Sequence, residues 1–228
     1  MQAPLSDRLF SEFIGTFALV FCGVGAIVAD QLFGGLGNMG IALVFGLVVM
    51  VMIYAVGDIS GAHFNPAVSF GFFLSRRFPA KEFVIYSVVQ ITASVFAVVL
   101  LRFLLSDFAA NDINFGVTRS SIGVWQGCVL EIIITFFLMF VILRVATGAK
   151  ETGMMAGLAI GATVALAAAF AGPLTNASMN PARSIGPALV ALDWSQLWLY
   201  SIAPMIGAAL AVYSCKWTAF DGCCEATV

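Results

Sequence analysis

Apolar residues gather along the chain in six long runs, separated by short stretches that carry most of the charged side chains. Each run has about the length, near 20 residues, that an α-helix needs to cross a bilayer. The runs cover residues 9–29, 38–56, 82–105, 122–146, 153–171 and 195–216. The pattern therefore predicts an all-α membrane protein, with residues 1–228 forming a single transmembrane domain.

Two further apolar pieces, at 65–75 and 180–191, are too short to span and suggest re-entrant segments. Each begins with the same tripeptide, whose Asn is a good N-cap and whose Pro suits the first helical position. We therefore expect two half-helices beside the six spanning helices, starting at Asn65-Pro66-Ala67 and at Asn180-Pro181-Ala182.

The second half of the chain repeats the first. Glu12-Phe-Ile-Gly-Thr16 resembles Glu131-Ile-Ile-Ile-Thr135, and Tyr86-Ser-Val-Val-Gln-Ile resembles Tyr200-Ser-Ile-Ala-Pro-Met. Such repeats fix the architecture. Since each repeat, about 8–108 and 122–217, holds three spans, the second must enter the membrane inverted. Inverted repeats place their working site near the midplane, where broken helices meet.

Composition excludes several classes of protein. The chain is 61% hydrophobic and 10% charged, with a mean hydropathy of +1.04 and a net charge of -2. Soluble domains are about 25% charged, so this chain cannot cover a water-facing surface, and its charge does not favour nucleic acid. With one histidine, His63, and no Cys-x-x-Cys, we expect no metal, no cofactor and no enzymatic activity.

Positive charge predicts the orientation. Six spans put both termini on one side, and positively charged residues accumulate on the cytoplasmic side of membrane proteins. Seven positively charged residues fall on the side of the termini: Arg8, Arg76, Arg77, Lys81, Arg144, Lys150 and Lys216. Three fall on the other side: Arg102, Arg119 and Arg183. We therefore expect cytoplasmic termini in a cell (plasma or inner) membrane.

The two signature segments carry a clear resemblance. Gly61-Ala-His-Phe-Asn-Pro-Ala-Val68 and Ser178-Met-Asn-Pro-Ala-Arg-Ser184 resemble the two loops of the aquaporin (major intrinsic protein) family, and the likeness covers essentially residues 8–217. It implies a right-handed bundle of six helices with two half-helices, assembled as a homotetramer with one pore per subunit. The function implied is passive passage of water and small uncharged solutes such as glycerol, with exclusion of ions and protons.

The resemblance assigns roles to individual positions. It implies that backbone carbonyls line the pore in the two loops, at Gly61, Ala62, His63, Asn176, Ala177 and Ser178. The intramembrane carboxylates Glu12 and Glu131 match residues that accept hydrogen bonds from loop N–H groups, although such residues are also candidates for proton coupling.

The implied selectivity filter consists of Phe45, Ala168, Ala177 and Arg183. Strict water channels usually have His where Ala168 stands, and glycerol facilitators usually have Trp where Phe45 stands. The segment 178–189 also looks like the nodulin-26-like branch. Two alanines imply a wider opening than that of a strict water channel, unless a neighbour such as Phe170 fills the space.

Three alternatives stay open at this point. The first is a strict water channel, and the second is a coupled secondary transporter, which would require further acidic or unwound ion sites in the membrane. The third is a junction or scaffold protein, which we would expect to elaborate its loops or tail. The glycines at 153, 157 and 161 lie at four-residue spacing, which favours a helix-packing seam over a solute-lining face.

Overall fold

The computed structural model describes residues 3–108, 113–146 and 154–218. Within these ranges the backbone forms eight α-helices and one 3₁₀ turn at Ser106–Phe108, and no strand. The helices are α1 (Leu5–Phe33), α2 (Gly37–Ser60), α3 (Pro66–Leu74), α4 (Ala80–Leu104), α5 (Val124–Val145), α6 (Ala156–Thr175), α7 (Pro181–Ala191) and α8 (Leu197–Thr218).

Six of these helices, all but α3 and α7, are long and apolar enough to cross a bilayer. Their most apolar 18-residue stretches have mean hydropathies from 1.5 to 2.6. Large apolar side chains such as Leu43, Phe137 and Leu166 are exposed on their outer faces, as expected of surfaces that meet lipid. The predicted fold is confirmed, and each predicted end lies within four residues of the observed one.

The half-helices α3 and α7 begin as the tripeptides predict. The Asn65 side-chain oxygen accepts from the N–H of Ala67 at 2.8 Å, and that of Asn180 accepts from the N–H of Ala182 at 3.0 Å. Each proline occupies the first turn. The caps thus satisfy donors that a helix start would otherwise leave unpaired in the middle of the bundle.

The two repeats interlock through their half-helices. Within each repeat the first helix packs on the second and last, α1 on α2 and α4, and α5 on α6 and α8. Each half-helix also packs on the last helix of the other repeat, α3 on α8 and α7 on α4. The starts of α3 and α7 are therefore held by both halves of the chain.

Close packing of α2 against α6 depends on glycine. A Cβ on Gly161 would lie 2.6 Å from the carbonyl oxygen of Gly46, and one on Gly157 would lie 2.7 Å from the Tyr54 ring. These distances make the glycine stripe a packing seam, as expected, although Gly157 also borders the cavity described below. Gly153, the third member, lies outside the described residues.

Candidate functional site

A cavity of about 680 Å³ extends into the bundle between the two repeats. It begins near Asp58 and Arg77, where α2 ends and α4 begins, and reaches Arg183 on α7. Asn65 and Asn180 both lie on its wall. One side of the wall is apolar, formed by Leu19, Val49, Ile53, Val68, Leu138, Ile142, Ile160 and Val164.

Another part of the wall is formed by the two loops that precede the half-helices. Their backbones repeat the same left-handed conformations: φ is 50° at both Ala62 and Phe64, and 41° and 53° at the matching Ala177 and Met179. Residues other than glycine rarely adopt such angles, and they persist only where the surroundings enforce them. The surroundings that do so here are two buried glutamates.

Glu12 on α1 fixes the first loop. Its carboxylate accepts from the N–H groups of His63 and Phe64 at 2.8 and 2.7 Å, and from the side chains of Ser60 and Gln90, each at 2.8 Å. Its side chain is fully buried. With the loop N–H groups turned towards Glu12, the carbonyls of Gly61, Ala62 and His63 accept no hydrogen bond from the described part of the chain.

Glu131 on α5 fixes the second loop in the same way. It accepts from the N–H groups of Ser178 and Met179, both at 2.9 Å, and from the hydroxyl of Thr175 at 2.8 Å. Glu12 and Glu131 thus make equivalent contacts with the loops of the two repeats. The carbonyls of Ala177 and Ser178, like those of the first loop, accept no hydrogen bond from the described residues.

Two tyrosines complete this support, a role that the sequence did not reveal. Tyr86 donates to the carbonyl of Ser60 at 3.1 Å, and Tyr200 donates to that of Thr175 at 2.9 Å. The available signal was the repeat itself, since both tyrosines lie in its matching segments. Gln90 has no such counterpart, because its equivalent position in the second repeat is Pro204.

His63 lies on the cavity wall as a brace. Its Nδ1 is 3.0 Å from the Ser69 hydroxyl, and its ring stacks on Phe72 at 4.7 Å between centroids. In the second loop a serine pair takes the same place, with the Ser178 and Ser184 hydroxyls 2.6 Å apart. The contacts of His63 are those of a side chain that braces the loop.

The two signature asparagines join the repeats at the centre of the bundle. The Asn65 amide donates to the Met179 carbonyl at 2.8 Å, and the Asn180 amide donates to the Phe64 carbonyl at 2.9 Å. A side-chain amide has two N–H groups, so each asparagine keeps one more donor besides this bond. Since both asparagines border the cavity, that donor can meet an oxygen inside it.

The four predicted filter residues all border the cavity. The Arg183 guanidinium donates to the Gly116 carbonyl and lies 5.5 Å from the centre of the Phe45 ring. Ala168 and Ala177 contribute only methyl groups to the same cavity wall. Phe170, the neighbour that could have filled the space, is 51% exposed on the outside of the bundle.

Asn176 is the one predicted carbonyl position that does not border the cavity. It is the C-cap of α6, and its side-chain oxygen accepts from the N–H of Arg119 at 2.9 Å. Its own φ of 61° continues the left-handed run. In this structure its contacts are those of a loop anchor.

Residues 2–214 match the family described as major intrinsic protein. The chain belongs to the major intrinsic protein family. It is 44% identical over 214 residues to Aquaporin NIP1-4 of Oryza sativa subsp. japonica, covering 94% of this chain and 77% of that relative. It is 43% identical over 209 residues to Nodulin-26 of Glycine max, covering 91% and 76%.

The X-ray structure of the aquaglyceroporin from Plasmodium falciparum has the same fold as this major intrinsic protein. Its TM-score is 0.84 at 25% identity, over 91% of this chain and 94% of that chain. The resemblance to the aquaporin family, including its nodulin-26-like branch, is thereby confirmed. With six apolar helices of spanning length, the chain is an integral, multi-pass membrane protein.

Proposed function

We propose that the chain is a passive channel for water and small uncharged solutes such as glycerol. The observation that carries the proposal is the cavity of about 680 Å³, which passes both signature asparagines and ends at Arg183. Loop carbonyls on one side can accept hydrogen bonds, while the other side is apolar. The names of two similar proteins, Aquaporin NIP1-4 and the aquaglyceroporin, support transport of this kind.

Exclusion of ions follows from the two half-helices. Their N-termini meet near the centre of the bundle, and each carries about half a positive charge. At roughly 6 Å and an effective dielectric of about 20, the two together repel a cation by about 3 kcal/mol. Desolvation of an ion costs several kcal/mol or more, so it is the larger barrier. The helix dipoles add a preference against cations.

Exclusion of protons follows from the donors at the same point. Asn65 and Asn180 offer N–H groups and have their oxygens engaged by their own helices. A water that accepts from both asparagines points its hydrogens away from them. That orientation interrupts a proton relay along the file of waters, because no water at this point can pass a proton on to the next.

The small side chains of the filter favour the passage of solutes larger than water. Besides Phe45 and Arg183, the filter positions of the cavity wall carry only the methyl groups of Ala168 and Ala177. A glycerol-sized molecule can lay its carbons on the Phe45 ring. Its hydroxyls can then meet the Arg183 guanidinium, which carries several donors in a fixed fork.

The contacts of the glutamates favour a passive channel over a coupled transporter. Glu12 and Glu131 each accept three or more hydrogen bonds from loop groups and side chains, at 2.7–2.9 Å. Proton coupling would require these carboxylates to release their partners in each cycle. The loops that line the cavity would lose their support each time.

The proposal extends to assembly and orientation. The outward apolar faces fit a homotetramer in the lipid bilayer, with one pore per subunit. The end of the bundle that holds Arg8, Arg76, Arg77, Lys81 and Arg144 is assigned to the cytoplasm, so both termini lie there. The membrane is assigned as the plasma or inner membrane of the cell.

Liposome transport tests the function. Purified protein in liposomes is exposed to osmotic gradients of an impermeant sugar, glycerol or urea, and the change in volume is followed by light scattering. We expect fast water flux and glycerol entry, both well above protein-free liposomes and neither dependent on an ion gradient. Water flux without entry of glycerol, urea or boric acid would identify a strict water channel, and saturating, ion-dependent flux would identify a coupled transporter.

A further inference from the structure

Phe45 of the filter rests on a position of α1 that has no side chain. A Cβ built on Gly23 would lie 2.2, 2.4 and 2.6 Å from three carbons of the Phe45 ring. Ordinary contact begins at about 3.4 Å, so the ring occupies the space that a methyl group would need. Gly23 is buried and does not itself border the cavity.

The opposite side of the Phe45 ring faces the cavity and Arg183. The guanidinium carbon lies 5.5 Å from the ring centre, and both residues are on the cavity wall. The ring is therefore held between Gly23 behind it and the pathway in front. Any group added behind it displaces it by about 1 Å towards the pathway, because the packed interior leaves little room elsewhere.

Arg183 is held against the same part of α1. Its guanidinium donates to the Gly116 carbonyl, and a Cβ on Gly116 would lie 2.6 Å from the Val24 side chain. Val24 is fully buried. Arg183 therefore keeps its place when Phe45 moves, and the gap between the two narrows.

We infer that Gly23 is a positioning residue for solute selectivity: by leaving room for the Phe45 ring to lie back against α1, it sets the width of the filter. This inference rests on the proposed channel function and deepens it. The substrate class concerned is small polyols and amides, which need the full gap, whereas single waters do not.

Gly25 offers a matched control on the same helix. A Cβ there would lie 3.6 Å from its nearest neighbour, a methyl carbon of Leu101, which is ordinary contact. Gly23→Ala and Gly25→Ala therefore make the same chemical change and give the same gain in helix propensity. They differ in whether an aromatic ring of the filter stands in the way.

The test compares water and glycerol permeability per protein in liposomes. We expect Gly23→Ala to lower the glycerol-to-water ratio by about tenfold, the scale on which a pocket discriminates one carbon group. Gly25→Ala should keep the wild-type ratio. Adding Gly23→Ala to Phe45→Leu should change the ratio little, since no ring remains to be displaced.

Each other outcome is decisive. The inference is overturned if folded Gly23→Ala keeps the wild-type glycerol-to-water ratio, or if Gly25→Ala lowers that ratio as much as Gly23→Ala does. It is also overturned if adding Gly23→Ala to Phe45→Leu lowers the ratio tenfold. Should the Gly23→Ala single variant fail to fold, we expect the double variant with Phe45→Leu to fold. Failure of that double variant to fold also overturns the inference. A wild type that passes neither water nor glycerol refutes the proposed function instead.

Discussion

Asn65 and Asn180 hold each other's loops in place: the amide of Asn65 donates to the backbone carbonyl just before Asn180, and the amide of Asn180 donates to the carbonyl just before Asn65. Each asparagine also caps its own half-helix. The position of each donor in the cavity thus depends on both repeats. A displacement of one loop is passed directly to the other.

The pore should exclude ions, including protons. The reason is the desolvation cost at the two facing helix starts, together with their positive ends. Current is measured across planar bilayers that contain the protein, and proton leak is measured in liposomes under a pH gradient. We expect both to match protein-free membranes at protein densities that give fast water flux. Conductance that scales with protein density would contradict the proposal.

Replacing Glu12 with Gln should harm folding more than selectivity. The Gln side chain brings N–H donors to a place where four donors already converge, so at least one buried N–H loses its partner. The cost of each is about 1–3 kcal/mol. We expect a lower yield of folded protein and a lower midpoint of thermal unfolding in detergent, with a wild-type glycerol-to-water ratio in the protein that survives.

Glu131→Gln serves as the matched variant in the second repeat. Glu131 also supports two successive loop N–H groups, so its replacement should destabilise the protein by a similar amount. Normal yield, combined with loss of a flux that previously required a proton gradient, would instead favour the coupled transporter.

Arg183→Val should broaden solute range and raise cation leak. The change removes a fixed positive charge and its donors from the cavity wall. Arg102→Val is the control, because Arg102 makes the same kinds of contact outside this cavity: it donates to the Val190 carbonyl at 3.0 Å and lies 5.6 Å from the Phe115 ring. Bilayer conductance and liposome uptake of urea and glycerol measure the difference. Unchanged selectivity in folded Arg183→Val would show that this arginine is a brace.

Ala168→His should cut glycerol flux sharply while water flux largely survives. An imidazole in place of the methyl group narrows the gap opposite Phe45, and Ala168→Val should give an intermediate effect. Glycerol and water flux are compared in the same liposomes. Phe170→His, on the same helix but facing outwards, controls for the introduction of a histidine. Equal losses of water and glycerol flux would mean that Ala168 does not set the aperture.

The pair formed by Asp193 and Arg119 should make a small, pH-dependent contribution to stability. Hydrogen bonds from Ser195, and then the Arg119 guanidinium 2.6 Å away, lower the pKa of Asp193 to about 2. Because this pKa is lowered in the folded state, the stabilisation is present above the ordinary value of 3.8 and is lost as pH falls towards 2. The Arg119 side chain is 65% exposed, so the pair is worth about 0.5 kcal/mol.

Asp193→Asn measures that contribution. We expect the midpoint of thermal unfolding in detergent to be slightly lower than that of wild type at pH 7, and the difference to disappear near pH 2. If the difference in unfolding midpoint between Asp193→Asn and wild type stayed constant from pH 7 to pH 2, the effect of the substitution would come from packing and not from charge.

The sequence predicted the fold well because each of its signals is local. Apolar runs give the spanning helices, and Asn-Pro at 65 and at 180 gives the half-helix starts. The repeats even carried Tyr86 and Tyr200 in matching positions. What they could not reveal was the partner of each tyrosine hydroxyl, because the acceptors are the backbone carbonyls of Ser60 and Thr175, and every residue carries such a carbonyl.

The contacts behind the filter could not be predicted from the sequence, for a different reason. Phe45 and Arg183 could be placed by resemblance, but Gly23 is one of 22 glycines and matches no motif that marks it out. Its importance comes from the distance of its missing Cβ to a ring on another helix. Asn176 shows the same limit, because the point where the cavity wall ends is a property of the assembled bundle.

The packing of each half-helix on the other repeat has a consequence for biosynthesis. When the ribosome has completed the first repeat, α1, α2 and α4 can already span the membrane, but α3 still lacks its partner α8. Until the second repeat is inserted, the first loop is held by Glu12 but lacks both the Asn180 donor and the α8 surface. A half-made chain lacks the part of the cavity wall that the second repeat supplies, including Leu138, Ile160 and Arg183, so the enclosed cavity can form only after the second repeat has been translated.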